Sequence, residues 1–196
     1  MEKIVNKILG KFNIGLVRTF PRHSVRFAKK YFKNKPIKVA EIGTFKGENA
    51  KNIMETLNVD KIYLIDPWEE HENFSKIAPE ITQKILSNAE KIAKKRLGKH
   101  NNKIFFIKKY SDEAINDIPD NMDYIYIDGN HSYKQAKKDM KNYWPKVNKG
   151  GILAGHDITA SHDKKEGGVA RAFVEFCSEK NLRPRITRTD WIIIKT

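Results

Sequence analysis

The stretch Ala40-Glu41-Ile42-Gly43-Thr44-Phe45-Lys46-Gly47-Glu48-Asn49 joins a short β-branched run, 37–42, to a segment of helical apolar spacing, 48–57. A strand that passes through a glycine turn straight into a helix is the opening unit of an α/β sheet. Such sheets take ligands at the carboxyl ends of their strands. Gly43 lets backbone approach a ligand closely, and Gly47 permits the sharp entry into a helix whose first amides are free donors. The spacing is not G-x-G-x-x-G, because position 45 is Phe, and this disfavours a pyrophosphate cradle. Glu41 is expected to face the same crevice, where a carboxylate repels a diphosphate and attracts the ammonium of an amino-acid-like cofactor. That combination favours S-adenosylmethionine; for the loop alone, a plain strand-to-helix turn is the alternative.

Outward from this unit, runs at 61–65, 103–108, 122–127 and 151–155 have the length and β-branched content of buried strands. Helical stripes fall between and after them at 79–97, 132–144 and 168–180, with Ile81, Ile85, Ala89, Ile92 and Ala93 on one face of the first. Two short strand candidates, 185–188 and 191–195, flank a tight turn at Thr189-Asp190. The predicted fold is α/β: a doubly wound, mostly parallel sheet of Rossmann-like type, helices on both faces, closed by a C-terminal antiparallel hairpin. Residues 1–35 read as an N-terminal helical extension whose second helix runs from Ser24, a plausible N-cap, to Phe32. Residues 36–196 read as one domain.

Chemistry-bearing residues gather at the predicted strand ends. Asp66, in Leu64-Ile65-Asp66-Pro67-Trp68, lies about 20 residues beyond the glycine loop, where a carboxylate chelates ribose hydroxyls. Ser111-Asp112 follows the third strand and either meets an adenine edge or caps a short helix. The fourth strand ends in Asp128-Gly129-Asn130-His131 and the fifth in Gly155-His156-Asp157. Neighbouring parallel strands would bring these together. Asp128, His156 and Asp157 form a divalent-metal set, Mg²⁺ or another ion, and His131 has the pKa of a general base at neutral pH. Taken singly, each has a plainer reading: a cap, a loop brace or a hydrogen-bonded polar residue.

Three blocks, Ala40–Gly47, Ile127-Asp128-Gly129-Asn130-His131-Ser132-Tyr133 and Gly150–Asp157, resemble class I S-adenosylmethionine-dependent methyltransferases. Within these they are similar to the small O-methyltransferase-like branch that includes macrolide-sugar and cephamycin-type enzymes. The resemblance spans roughly residues 37–180. It implies that Glu41 and Gly43 contact the methionine end, Asp66 the ribose, Asp128 and Asp157 a Mg²⁺-like ion, and His131 the acceptor. His156 stands where well-studied metal-dependent members carry an acidic residue. The candidate cofactor contacts are thus Glu41, Gly43, Thr44, Phe45, Gly47, Asp66, Pro67, Trp68, Ser111, Asp112 and Asp128, and Asp128 is expected to act with His131 in catalysis.

Composition bounds the rest. The chain has 196 residues, a net charge of +14 and one cysteine, Cys177, which excludes an internal disulfide framework and a cysteine-based zinc site. No apolar run is long enough to cross a bilayer, and the expected setting is cytoplasmic. The charge is either a set of solvated helix faces or a basic binding surface. The expected partner is a small-molecule hydroxyl acceptor. The alternatives are RNA, favoured by Lys134, Lys137, Lys138 and Lys141, and a non-catalytic nucleoside- or metal-binding module. An apolar N-terminal stripe allows a homodimer.

Overall fold

In the computed structural model, described over residues 20–70, 81–159 and 168–196, the chain runs α1 (His23–Phe32), β1 (Ile37–Ile42), α2 (Glu48–Thr56), β2 (Val59–Ile65) and α3 (Gln83–Leu97). It continues through a 3₁₀ segment (Gly98–Lys103), β3 (Ile104–Ile107), α4 (Ser111–Ala114), β4 (Met122–Ile127), α5 (Tyr133–Tyr143), β5 (Val147–Gly155), α6 (Gly168–Glu179), β6 (Arg185–Thr187) and β7 (Asp190–Ile194). The expected first N-terminal helix lies outside the described residues.

Among the described residues the strands form one sheet in the order β3-β2-β1-β4-β5-β7-β6. β1 to β5 are mutually parallel, and the hairpin of β6 and β7 adds an antiparallel edge against β5, as the fold class expected. The order of strand addition reverses between β1 and β4: one half is laid outward to β3, and the chain then returns to the other side of β1. Crevices of open α/β sheets lie at such a switch point.

Strand alternation sorts the core into two layers. Ala40, Ile42, Ile125, Ile127 and Leu153 face α5 and α6, meeting Met140, Tyr143, Phe173 and Phe176. Val39, Tyr124, Tyr126, Ile152 and Ile192 face the other way, against Val25 and Ala28 of α1 and Ile53 of α2. Each fully buried Ile, Leu or Phe in these layers contributes about 1.5–3 kcal/mol of transfer free energy. These apolar layers fix the sheet, and with it the level at which the polar strand ends emerge.

Two elements begin earlier than their hydrophobic runs. β2 takes in Val59 and Asp60, and β5 takes in Val147 to Gly150. Polar and glycine residues there pair with neighbours through backbone, which a hydrophobic pattern does not register. The hairpin turn falls at Arg188-Thr189, one residue before the expected position, because Asp190 is already in β7 and pairs with Thr187. Ser24 is not the N-cap of α1. Arg22 holds that position, and both Ser24 N and Ser24 Oγ donate to Asp190 Oδ2, at 2.8 and 2.7 Å. The helix amide is satisfied by a carboxylate from the far end of the chain.

Candidate active site

The strand ends are level with one another. Ile42 pairs with Ile65 and Ile127, and Ile127 pairs with Gly155. The next residue on each strand therefore emerges at one rim: Gly43 N donates to Ile65 O, Asp128 N to Ile42 O and His156 N to Ile127 O. Gly43 makes this closeness possible. Its φ is +88°, and a Cβ there would lie 2.1 Å from the Asp128 carbonyl oxygen, so a side chain is excluded by strain and by contact. Gly47, at φ +70°, turns the chain into α2.

A cavity of about 460 Å³ opens over this rim. Gly43, Phe45, Asp66, Pro67, Ser111, Asp112, Asp128, His131, His156 and Asp157, all singled out in the sequence, line it together with Arg22, Asn130, Gln135 and Asp139, which were not. Glu41, Thr44, Gly47 and Trp68 are not part of that lining. Trp68 is buried beneath the loop, packed with Ala89 and Ala93, and its indole Nε1 donates to Phe45 O at 2.8 Å. It supports the glycine loop from behind.

Glu41 alternates with Ala40 and Ile42 and so points into the layer under α1 and α2, fully buried, where Oε1 accepts from Asn49 Nδ2 at 2.9 Å. Burial pushes its carboxyl up to about 8; the Asp128 charge adds to this, while the Asn49 hydrogen bond and the Arg22 charge oppose it. It anchors the first turn of α2 in place of facing the crevice.

Asp66 organises the middle of the cavity. Its Oδ2 accepts from Phe45 N and its Oδ1 from Trp68 N, each at 2.8 Å. An ionised carboxylate has about four acceptor sites, so roughly two are left for the cavity. Burial raises its pKa against the pull of those two amides.

At one end, Ser111 and Asp112 begin α4, and α5 adds two polar side chains to them. Ser111 Oγ donates to Asp139 Oδ1 at 2.7 Å, and Gln135 Nε2 reaches Asp139 Oδ1 at 2.9 Å and Asp112 Oδ1 at 3.2 Å. Asp139 is buried, its carboxyl pushed up to about 6 chiefly by burial, and its Oδ2 has no donor among the described residues. A buried acceptor without a donor is costly unless a ligand supplies one.

At the other end lie the charged groups. His131 stands between two aspartates, with Nδ1 3.2 Å from Asp157 Oδ2 and Nε2 3.5 Å from Asp128 Oδ1. Burial pulls its pKa down, but the Asp128 hydrogen bond and the Asp128 and Asp157 charges outweigh it, and the net direction is up. The ligand-type atoms of Asp128, His131 and Asp157 lie within 4.8 Å of one another. His156, the imidazole expected in that set, has Nδ1 2.8 Å from Asp157 Oδ1 and Nε2 2.9 Å from Thr189 Oγ1 of the hairpin turn. Arg22 completes the cluster: its guanidinium sits 2.9 Å from Asp128 Oδ2, donates to Tyr126 Oη at 2.7 Å and lies over the Tyr126 ring.

The lysines that suggested a nucleic-acid surface are largely paired within the chain. Lys137 meets Glu175 and Glu179, Lys138 meets Asp112, and Lys141 meets Glu179.

Comparison with known proteins matches the segment that builds this site. An uncharacterized protein of Acanthamoeba polyphaga mimivirus is 29% identical over 134 residues, 64% of this chain and 53% of the relative, so the chain spans about half the length of that protein. Among solved structures, a caffeoyl-CoA O-methyltransferase-like protein from Staphylococcus aureus superposes with a TM-score of 0.66 at 16% identity, covering 97% of this chain and 91% of that one. A methyltransferase-like protein from Streptococcus mutans, solved with SAH, gives a TM-score of 0.63 at 12% identity, covering 89% and 99%. Both share the fold. A family model described as a methyltransferase domain matches residues 40–158, from β1 through the His156-Asp157 rim. By that match, which takes in more than half of its length, the chain belongs to the methyltransferase-domain family.

Proposed function

We propose that the chain transfers a methyl group from S-adenosylmethionine to a hydroxyl of a small-molecule acceptor. The observation that carries this is one cavity, at the sheet's switch point, with the Ser111, Asp112 and Gln135 polar groups at one end and a base between two carboxylates at the other. Its volume falls in the range of small-ligand pockets. Ser111 and Asp112 would hold the adenine, with Asp139 fixing the Ser111 hydroxyl from behind. Asp66 would hold the ribose, and Gly43 and Phe45 the methionine end. Bound S-adenosylmethionine supplies an electrophilic methyl, whose C–S bond breaks as the acceptor oxygen forms its new C–O bond.

The chain's own groups do the rest. His131 takes the hydroxyl proton, and the resulting imidazolium is held by Asp128 and Asp157. General-base assistance of this kind contributes about 10²–10⁴ in rate. The metal-assisted form of the reaction, expected from Asp128, His156 and Asp157, meets a positive charge already at Asp128. Asp128 Oδ2 is paired with Arg22, and the charge of that guanidinium opposes a divalent ion at the same carboxylate.

The test is incubation with methyl-labelled S-adenosylmethionine and a panel of phenols, catechols and sugar hydroxyls, beside mixed RNA. Label in the small-molecule fraction supports the proposal. Label confined to RNA, with salt-sensitive binding, would replace it with the nucleic-acid reading.

A further inference from the structure

Arg22 lies more than a hundred residues from the carboxylate it meets, outside every block that carries the family resemblance. Three features hold it in the site. Its backbone is the N-cap residue of α1; α1 is docked by Val25 and Ala28 in the core and by Ser24 on Asp190; and its guanidinium is fixed by Asp128 and Tyr126. Asp190, the anchor, also lies 3.8 Å from His156 Nε2 and 3.4 Å from Tyr126 Oη. One helix thus delivers a permanent positive charge to the acceptor end of the cavity.

We propose that Arg22 is the resident cation of this site: it occupies the Asp128 carboxylate in place of a divalent ion and supplies the positive charge that faces the acceptor oxygen as it loses its proton. A guanidinium stays protonated at any working pH, and its planar donors suit a carboxylate and a phenol oxygen together. Preorganised positive charge aimed at a developing oxyanion lowers the barrier without reorganisation during the step. The remaining donors, Asp128, His131 and Asp157, already lie close enough to hold an ion once the guanidinium is removed. Arg22 holds Oδ2 while Oδ1 faces His131, so the guanidinium competes by its charge with an ion on this carboxylate.

This inference rests on the proposed role of Asp128 at the acceptor end, and its test reads metal binding independently of methyl transfer. Free Mn²⁺ is followed by electron paramagnetic resonance as the ion is titrated into the full chain, with S-adenosylhomocysteine binding recorded in parallel as a check on the cavity. Wild type is expected to bind Mn²⁺ weakly, and Asp128→Asn to leave that weak binding unchanged. Arg22→Gln is expected to tighten Mn²⁺ binding about tenfold or more, Arg22→Lys to stay near wild type, and Arg22→Gln with Asp128→Asn to lose the gain. Equal Mn²⁺ affinity in wild type and Arg22→Gln overturns the proposal. So does tight binding in wild type that Asp128→Asn abolishes, a result that does not depend on the Arg22 variants folding.

Discussion

Replacing Glu41 by Gln separates two roles that a carboxylate at the end of β1 could have. The side chain is buried, bonded to Asn49, and has its pKa raised to about 8 by desolvation. An acid whose folded pKa lies above its unfolded value of 4.5 contributes most to stability at low pH, and that contribution is lost as pH rises from the unfolded toward the folded value. Between pH 4.5 and 7 the loss amounts to about 3 kcal/mol, and by pH 8 to about 5 kcal/mol, at 1.36 kcal/mol per pKa unit. Glu41→Gln removes the titration and keeps an amide oxygen for Asn49. Urea unfolding from pH 5 to 8.5 should show wild type losing stability relative to the variant across this window, with the variant equal or more stable at pH 8. The affinity for S-adenosylhomocysteine should stay within about threefold, since Glu41 lies off the cavity lining. Parallel stability curves together with a large loss of cofactor affinity would refute the reasoning and restore Glu41 as an ionised partner of the cofactor ammonium.

Other outcomes follow from the same geometry. His131→Gln should lower methyl transfer by about 10²–10⁴ with cofactor binding retained. Because the raised pKa of His131 comes from its two carboxylates, the acid limb of kcat/KM should lie above the ordinary imidazole value, and Asp157→Asn should move it to lower pH; an unmoved limb assigns the base elsewhere. Gly43→Ala should destabilise the chain by about 3 kcal/mol or more, or prevent folding, because its Cβ meets the Asp128 backbone at a positive φ; a thermal midpoint near wild type would contradict the close approach of β1 and β4.

The parts of the site legible in the sequence are those that parallel strands deliver. Asp66, Asp128 and His156 each follow a run of buried apolar residues, and the parallel strands of an open sheet place such residues on one rim. Glu41 was legible in position but not in direction: the alternation that turns it away becomes visible only once Val39, Tyr124 and Tyr126 are known to lie under α1 and α2. Asp139 and Gln135 share the helical stripe of α5 with core residues, and their reach to Ser111 depends on how α4 is set. The contact between His156 Nε2 and Thr189 Oγ1 joins a strand end to a hairpin residue outside both motifs, which no spacing announces. Arg22 left no local signal, because its place is fixed by the Ser24–Asp190 anchor between the two ends of the described chain.

The central claim, that the cavity at the switch point is an S-adenosylmethionine site, is tested most directly by calorimetric titration of S-adenosylmethionine and S-adenosylhomocysteine into the chain, with NADH as the competitor. Saturable binding of both at one site per chain, undisturbed by NADH, is the expected result. Saturable binding of NADH with none of either sulfur nucleoside would contradict it.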